Sequence, residues 1–422
     1  MTIPLQAKAW SPRLVLLAFV CLTALAVIPS ANAQTYTILY SFRGFPDSAY
    51  PHGVVMAGDG NLYGTAGGGP YNEGTVYQLN SLNQETILHS FLGGTTDGAN
   101  PYGALIKGRH GALLDTTIYG GTYGIGTVFE IDPKGDENVV HNFTGKSGDG
   151  ATPEAGLVED DAGNFYGTAL YGGIEDCGNG LGCGMVFKID HTGKETQLYL
   201  FTGGHDGGWP IASLVLDQAG NLYGTASGGG DLSCYQGYGC GTVFKIDAAG
   251  NYSVLYAFHG IHGDGADPLS GLVRDSAGNL YGTTQFGGTA GVGTVFKVTP
   301  AGKETVLYSF LGQPLDGALP ANSPLFRDTA GNLYGETASG GVDTCEDNAA
   351  GCGLVFMLSP TGEETVLHYF TGNPDGSYPT GGLVPDKEGN LYGTTGYGGP
   401  YSDICIQYGI EYGCGTVFKL SR

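Results

Sequence analysis

The six residues GNLYGT at Gly60–Thr65 decide the fold, because close copies of them occur seven times along the chain. The other copies begin at Gly111, Gly163, Gly220, Gly278, Gly331 and Gly389, and the copy GALLDT at Gly111–Thr116 departs most from the pattern. Successive copies start 51, 52, 57, 58, 53 and 58 residues apart. A period of about 50 residues is typical of proteins built from equivalent supersecondary units.

Each unit contains four predicted strands. The piece P..GLV.D, as in Pro268–Asp275, precedes GNLYGT, and GTVFK and ETVLYSF follow it, as in Gly293–Lys297 and Glu304–Phe310. The last two pieces alternate apolar and polar residues and are rich in β-branched and aromatic types, which favours strands. An aspartate three residues before a Gly-Asn pair predicts a tight turn between the first two strands, at Asp160, Asp217, Asp275, Asp328 and Asp386. Four antiparallel strands per unit indicate a β-propeller blade.

The two ends of the repeat array predict how the blades are counted. Thr35–Phe42 reads TYTILYSF, a fourth strand without the preceding three, and Gly415–Leu420 reads GTVFKL, a third strand without a fourth. We therefore predict an all-β fold, a seven-bladed β-propeller of four-stranded blades in which the N-terminal strand completes the last blade. Closure of this kind removes exposed sheet edges.

The same strand order predicts that the P..GLV pieces line the central channel. Small residues are expected where seven strands converge, and we assign one equivalent position to Gly53, Gly103, Gly156, Gly271 and Gly382. Ser213 takes this position in blade 4. Blade 6 has an additional residue around Ser323 and Pro324, which we interpret as a bulge.

The pattern GNLYGTT..GG....GTVFK resembles the GloVer (Gloeo/Verruco) tandem repeat of secreted bacterial proteins, many of which carry an interchangeable C-terminal anchor. The resemblance covers essentially all of the chain after residue 33. It implies export and a propeller-like repeat array, and it implies no established activity or catalytic residues. No anchor-like segment follows the last repeat in this sequence, which puts surface attachment by that route in doubt.

The first 33 residues have the features of a secretory signal peptide. Lys8 and Arg13 precede an apolar run over Leu14–Ile28, and Ala31-Asn32-Ala33 provides small residues for cleavage before Gln34. We predict a signal peptide at 1–33, a propeller at 34–422, and no transmembrane segment or lipid anchor in the mature chain. The expected location is secreted or extracellular, with the periplasm and the cell surface as alternatives, and a monomer is expected.

Charge excludes some classes of partner. Loss of the leader reduces the 17 basic residues to 15 against 40 acidic ones, a net charge of −25. Such a surface repels phosphate backbones, so nucleic acid is not expected as a partner. Carbohydrate and basic proteins remain as candidate partners.

Eight cysteines follow the leader in four local pairs: Cys177 and Cys183, Cys234 and Cys240, Cys345 and Cys352, and Cys405 and Cys414. Each pair lies between GNLYGT and GTVFK of one blade. In an exported chain, an even number of closely spaced cysteines predicts disulfides. Zinc would need four converging ligands, whereas these pairs belong to different blades.

One face of the propeller is predicted to carry the long loops. The connections between blades contain an aspartate four residues before a proline in every unit, at Asp47, Asp97, Asp149, Asp206, Asp264, Asp316 and Asp375. Turn formation is the favoured role. The alternative is a ring of carboxylates that holds Ca²⁺, for which the spacing of a calcium-binding loop is missing. We predict no other cofactor and no other metal site; His259 and His262 lack a third ligand.

The same face contains the candidate ligand site. The loop GGHDGGWP of blade 4 carries Trp209, the one tryptophan outside the leader. An aromatic ring beside hydrogen-bonding groups suits a sugar, and the predicted contact residues are Tyr171, His205, Asp206, Trp209 and Phe286. Packing of Trp209 against a neighbouring blade is the competing interpretation.

Known catalytic motifs such as HExxH and GxSxG are missing from the sequence. We therefore predict no catalytic residues. The leading hypothesis is a non-catalytic binding or interaction module, and the alternative is a polysaccharide hydrolase or lyase with acids converging at the channel mouth.

Overall fold

The computed structural model describes residues 34–421 with short gaps at 109–110, 133, 147, 175, 315, 321–323, 343–344, 346–349, 401–404 and 406–412. The predicted signal peptide at 1–33 lies outside the described residues. No helix among the described residues is long and apolar enough to span a membrane.

The described chain forms seven antiparallel sheets of four or five strands, which are arranged as the blades of a β-propeller. Blade 1 contains Ser48–Met56, Leu62–Gly68, Thr75–Leu79 and Glu85–Ser90, and blade 2 contains Gly98–Pro101 with Ile106–Lys107, then Leu113–Gly120, Thr127–Ile131 and Glu137–Asn142. Blade 3 contains Val158–Glu159, Phe165–Ala169, Met185–Ile189 and Glu195–Leu200, and blade 4 contains Val215–Leu216, Leu222–Ala226, Thr242–Ile246 and Tyr252–Ala257.

Blade 5 contains Val273–Arg274, Leu280–Thr284, Thr294–Val298 and Glu304–Ser309. Blade 6 contains Gly317–Pro320 with Phe326–Arg327, then Leu333–Gly340, Leu354–Leu358 and Glu364–Tyr369, and blade 7 contains Ser377–Pro379 with Val384–Pro385, then Leu391–Tyr397, Thr416–Ser421 and Thr35–Ser41. Short ladders join Gly150–Ala151 to Tyr171–Gly172 and Gly265–Ala266 to Phe286–Gly287. Two 3₁₀ turns, Gly178–Gly180 and Tyr235–Gly237, lie in loops.

The N-terminal strand belongs to blade 7. Thr35–Ser41 pairs antiparallel with Thr416–Ser421, so that Thr35 lies opposite Ser421 and Ser41 opposite Thr416. The backbone N–H of Tyr50 in blade 1 donates to the carbonyl of Cys414 in blade 7. That this strand holds the ring closed energetically stays a prediction.

One aromatic contact recurs at every joint between blades. The phenylalanine that ends each outermost strand is buried and packs edge-on against an aromatic ring of the next blade, with ring centroids 5.0 to 5.4 Å apart. The pairs are Phe42–Tyr77, Phe91–Phe129, Phe143–Phe187, Phe201–Phe244, Phe258–Phe296, Phe310–Phe356 and Phe370–Phe418. The final F of ETVLYSF and the F of GTVFK therefore form the cores between blades, and truncation of such a ring costs about 3–5 kcal/mol.

The innermost strands line a narrow channel, as the strand order predicts. Its walls include His52, Tyr102, Glu154, Ser213 and Gly271, and its cavity is only about 50 Å³. Backbones approach closely there, since a Cβ on Gly156 would lie 2.4 Å from the carbonyl oxygen of Ala104. The convergence explains the requirement for small residues.

The assignment of Gly103 to the common channel position is wrong by one residue. Ile106 lies opposite Leu114, whereas Val158 lies opposite Tyr166, which makes Ala104 the equivalent of Gly156. Blade 2 also differs at Asp115, which takes the place of the second glycine of GNLYGT. Its Oδ1 lies 2.1 Å from where a Cβ on Gly103 would be, so the carboxyl fills that space.

The additional residue of blade 6 is confirmed by the pairing register. Pro320 lies opposite Thr337 and Phe326 opposite Tyr334, one residue more on the first strand than between Pro379 and Val384 in blade 7. Ser323 itself lies outside the described residues.

The local turn and disulfide predictions are confirmed. Asp160 accepts hydrogen bonds from the backbone N–H groups of Ala162 and Asn164 and from the hydroxyl of Tyr166, and Asp217, Asp275, Asp328 and Asp386 also accept hydrogen bonds within their own turns. Four disulfides join the cysteines in the predicted pairs, each within one loop.

Candidate functional site

The aspartates between blades act in turns. In every blade connection, a carboxylate oxygen of this residue accepts a hydrogen bond from a backbone N–H four or five residues earlier, at 2.6 to 3.2 Å. The seven residues are Asp47, Asp97, Asp149, Asp206, Asp264, Asp316 and Asp375. These bonds match the turn interpretation.

These turns place one residue per blade in the left-handed backbone region. It is the residue directly before the proline of each innermost strand, and its φ lies between 48° and 59° in all seven blades. The seven are Tyr50, Asn100, Thr152, Trp209, Asp267, Leu319 and Tyr378. Side chains other than glycine rarely adopt this conformation, which is concentrated at functional sites.

A repeated hydrogen bond holds this conformation. The backbone N–H of each of the seven residues donates to a loop carbonyl of the preceding blade, at 2.6 to 3.0 Å. The partner of Trp209 is Cys183, and the partner of Asp267 is Cys240. The backbone conformation is therefore the same in every blade, whereas the side chain differs. This residue consequently contributes a different chemical group to the loop face in each blade.

Three of these positions surround a cleft on the loop face. We call it the tyrosine cleft, a cavity of about 490 Å³ where blades 7, 1 and 2 meet. Its lining includes Tyr50, His52, Asn72, Asn100, Tyr102, Tyr378 and Tyr397. The rings of Tyr50 and Tyr378 lie 5.3 and 5.6 Å from that of Tyr397, centroid to centroid, and the His52 ring lies 4.4 Å from Tyr102.

The described lining of the tyrosine cleft contains no aspartate, glutamate, lysine or arginine side chain. Burial raises the pKa of Tyr50 and Tyr378, and it raises the pKa of Tyr102 to about 12. Burial lowers the pKa of His52 to about 4, so its imidazole is neutral. Tyr102 and Tyr378 nevertheless keep 37% and 39% of their surface exposed, which leaves ring area available to a ligand.

The second cleft lies between blades 4 and 5. We call it the tryptophan cleft, a cavity of about 330 Å³ lined by residues that include Trp209, Tyr235, Tyr238, Asp267 and Phe286. Tyr238 is 6.1 Å from Trp209 and Tyr235 is 6.4 Å from Phe286, centroid to centroid. The Cys234–Cys240 disulfide closes the loop that carries both tyrosines. Desolvation raises the pKa of Asp267 to about 6, so this cleft changes charge near neutral pH.

The structure brings together two of the five predicted ligand contacts, Trp209 and Phe286. His205 instead bonds the carbonyl oxygen of Gly230 through Nδ1, at 2.8 Å. Asp206 accepts from the hydroxyl of Tyr199 and from the backbone of Thr202, and Tyr171 lies in a short ladder with Ala151. None of these three is among the described lining residues of the tryptophan cleft.

Packing also accounts for part of Trp209. The residue contacts the buried cluster around Phe201 and Cys183, and a Cβ on Gly228 would lie 2.5 Å from its ring. Both interpretations of Trp209 from the sequence therefore have structural support, because one side of the ring packs inward while the residue also lines the cleft.

Sequence reasoning missed the tyrosine cleft. A signal was present, because the segments SAYP, GANP, GATP, GGWP, GADP, GALP and GSYP vary at the residue before a fixed proline. The contacts themselves were not readable, since Tyr50 and Tyr397 are almost the length of the chain apart and meet only when blades 7 and 1 lie side by side.

The channel mouth shows little sign of paired acids. Among the described residues that line the channel cavity, Glu154 is the one carboxyl group, and desolvation raises its pKa. The described lining of the tyrosine cleft contains no carboxyl group, and that of the tryptophan cleft contains Asp267 alone.

Comparison with known proteins supports the fold. Virginiamycin B lyase from Staphylococcus aureus aligns with a TM-score of 0.57 at 11% identity, over 92% of this chain and 99% of that chain. Puromycin hydrolase aligns with a TM-score of 0.50 at 12% identity, over 84% of this chain and 53% of that chain. At such low identity the similarity shows the propeller fold alone.

Sequence comparison identifies the family. A search of curated proteins gave no significant match. The family model described as the Gloeobacter/Verrucomicrobia repeat matches residues 27–238 and 232–422, which together include every copy of GNLYGT and every GTVFK strand. The chain therefore belongs to the Gloeobacter/Verrucomicrobia repeat family.

Proposed function

We propose that the protein is a secreted, non-catalytic binding module for carbohydrate, with the tyrosine cleft as its principal site. The observation that carries the proposal is the cluster of four tyrosines from three blades around an uncharged cavity of about 490 Å³. Its size is that of an ordinary small-ligand site.

The chemistry of the lining favours a neutral sugar. The C–H face of a pyranose ring packs against a phenol ring, and hydroxyl groups pair with amides and phenols. The tyrosine cleft offers both kinds of group, with Asn72 and Asn100 beside Tyr102 and Tyr378. Phosphate ligands are disfavoured, because the described lining contains no lysine or arginine and the mature chain has a net charge of −25.

A binding role is favoured over hydrolysis by the distribution of acids. Glycosidases of the common type need two carboxyl groups about 5 to 10 Å apart on either side of the bond that is cleaved. The described lining of each cleft supplies at most one such group.

Secretion is supported by two features of the chain. Residues 1–33 match a signal peptide in sequence, and four disulfides staple the loops, which is typical of proteins folded in an oxidising compartment. Export would be shown by N-terminal sequencing of protein from the medium or periplasm that begins at Gln34, whereas protein retaining Met1 in the cytoplasm would contradict it.

The experiment uses residues 34–422 on a glycan array, followed by calorimetric titration of each positive sugar. Tyr102→Ala combined with Tyr378→Ala should weaken binding at least about tenfold, because loss of an aromatic anchor costs about 2 kcal/mol or more. The matched control is Tyr119→Ala, which removes a tyrosine that is 50% exposed and lies outside both clefts. A folded double variant that keeps every signal of the parent would contradict the assignment.

A further inference from the structure

The joints between neighbouring blades share a second polar arrangement, beside the aspartate of the connecting turn. On one side of that aspartate lies a tyrosine or histidine from the outermost strand of the preceding blade. On the other side lies a residue from the outermost strand of the next blade, which is a glutamate at five joints and a tyrosine at the other two. The seven trios are Tyr40–Asp47–Glu85, His89–Asp97–Glu137, His141–Asp149–Glu195, Tyr199–Asp206–Tyr252, Tyr256–Asp264–Glu304, Tyr308–Asp316–Glu364 and His368–Asp375–Tyr36.

At the joints with tyrosine, the phenol hydroxyl donates an ordinary hydrogen bond to the aspartate. The hydroxyl of Tyr256 donates to Asp264 at 2.9 Å, that of Tyr40 to Asp47 at 3.0 Å, and that of Tyr308 to Asp316 at 3.2 Å. At the joint with His368 the histidine and the aspartate are also hydrogen-bonded, because Nε2 of His368 lies 3.1 Å from Asp375.

Two joints are different, those between blades 1 and 2 and between blades 2 and 3. Nε2 of His89 is 3.5 Å from Asp97, and Nε2 of His141 is 3.8 Å from both Asp149 and Glu195. These distances exceed those of hydrogen bonds between nitrogen and oxygen. Both Nε2 atoms are buried and have no hydrogen-bond partner.

The glutamates complete the two trios. Oε1 of Glu137 and Oε1 of Glu195 are also buried without a partner. Glutamates of the tyrosine joints leave the same oxygen unpaired, but there the neighbouring phenol is already bonded to the aspartate. Only the two histidine–glutamate joints, among the trios described here, combine an unpaired nitrogen with an unpaired carboxylate oxygen.

The geometry matches a metal site. In each trio one nitrogen and two carboxylate oxygens lie within 4.8 Å of one another. Tetrahedral zinc with bonds of about 2.0–2.1 Å holds its donor atoms roughly 3.3 Å apart. The histidine Nε2 atoms lie 3.5 to 3.8 Å from the carboxylate oxygens, so a small movement of the side chains would bring them to that distance. Backbone N–H groups already orient the aspartates, as those of Leu92 and Gly98 do for Asp97, which leaves lone pairs free to coordinate.

The ligand types select the kind of metal. An imidazole with two carboxylates suits Zn²⁺ and other first-row divalent ions, whereas Ca²⁺ and Mg²⁺ prefer sites made of oxygen alone. A divalent ion would also neutralise two carboxylates that otherwise face each other at the joint. We propose that each of these two joints binds one divalent transition-metal ion, through the trios His89, Asp97, Glu137 and His141, Asp149, Glu195.

The ions would clamp blade 1 to blade 2 and blade 2 to blade 3, each leaving a fourth position for water. Because the ligands come from two blades, binding should stabilise the folded state over the unfolded chain. The proposal does not depend on carbohydrate binding, since no member of either trio lines the tyrosine or tryptophan cleft.

The test is equilibrium dialysis of residues 34–422, stripped with chelator, against Zn²⁺ in a large excess of Ca²⁺. Elemental analysis should give two bound zinc ions per chain, and the melting temperature should rise on binding. His89→Tyr and His141→Tyr should each remove one ion, and the double variant should bind none. Tyrosine is chosen because it occupies the same position at other joints of this molecule, where its hydroxyl donates to the aspartate, so folding should be preserved.

Two further variants provide matched controls. His368→Tyr changes a histidine joint that has Tyr36 in place of glutamate, and it should leave two ions bound. Tyr256→His places histidine beside Asp264 and Glu304, and it should create a third site. Failure of the parent to bind zinc under these conditions, or unchanged binding by a folded double variant, would overturn the proposal.

Discussion

The tyrosine cleft and the tryptophan cleft are built on the same backbone and differ in what fills it. Both use left-handed residues that precede a proline, Tyr50, Asn100 and Tyr378 in one and Trp209 and Asp267 in the other. Both also add the aromatic residue before a Gly-Gly pair, Tyr397 or Phe286. The described lining of the tyrosine cleft contains no carboxyl group, whereas that of the tryptophan cleft contains Asp267. The difference teaches that a uniform propeller can carry distinct sites, because one variable position per blade is held by an invariant hydrogen bond.

The largest expected effect comes from deletion of residues 34–43, which removes the outermost strand of blade 7 together with Phe42. The tyrosine cleft contains residues of blades 7 and 1, so it depends on this joint directly. We expect loss of more than about 5 kcal/mol of unfolding free energy, since a buried phenylalanine alone contributes about 3–5 kcal/mol. Thermal unfolding followed by circular dichroism measures it. A truncated chain that melts with the intact one would show that the strand does not close the ring.

The next comparison uses one backbone position in two blades. Trp209→Ala should lower the unfolding free energy by about 2–3 kcal/mol, because part of the ring packs on the buried cluster around Phe201. Tyr378→Ala should cost less than about 1 kcal/mol, because 39% of this side chain is exposed. Urea unfolding of the two variants gives the difference directly. Equal losses would mean that the residue before the proline has the same structural role everywhere.

Removal of the Cys234–Cys240 disulfide should affect ligand binding at the tryptophan cleft and not at the tyrosine cleft. The chain-entropy relation for the short loop that this bridge closes gives about 2 kcal/mol. We expect Cys234→Ala with Cys240→Ala to lower stability by that amount and to weaken any ligand of the tryptophan cleft, which depends on Tyr235 and Tyr238. Sugars bound by the tyrosine cleft should titrate as with the parent. Parallel loss at both clefts would point to a general loosening of the disc.

The smallest effect concerns pH. The pKa of Asp267 is raised to about 6 in the folded state from an ordinary value of 3.8. Its contribution to stability is therefore fully present below about pH 4 and is lost as the pH rises through about 6. Asp267→Asn should reduce the loss of unfolding free energy at higher pH. The reduction should be less than about 2 kcal/mol, because the carboxyl keeps some contact with solvent.

Melting temperatures of the parent and Asp267→Asn between pH 4 and 8 would measure this contribution. The difference in favour of the variant should grow with pH and level off above about 7. Binding at the tyrosine cleft should stay flat between about pH 6 and 8, because the pKa of His52 is about 4 and that of Tyr102 is about 12, so both groups stay neutral there. A difference in stability that shrinks as the pH rises would contradict the assignment.

Local chemistry made much of the molecule predictable from sequence. Strand alternation, Asp-Gly and Gly-Asn turns, and cysteines six to nine residues apart are short-range features, and they predicted the blades, the turns and the disulfides. The repeat made these predictions stronger, since an error in one unit would be exposed by the other six. Where blade 2 departs from the repeat, the prediction also failed, and Gly103 was assigned one residue away from its true equivalent, Ala104.

The tertiary structure alone decided which side chains meet. Tyr50 and Tyr397 form one wall of a cleft, and His141 approaches Glu195, because blades lie side by side and bring distant strands together. His205, Asp206 and Trp209 lie within five residues of one another in sequence, yet the turn directs them to different partners. Secondary structure and turns follow from neighbours along the chain, whereas clefts and joints depend on contacts between blades, which no local pattern encodes.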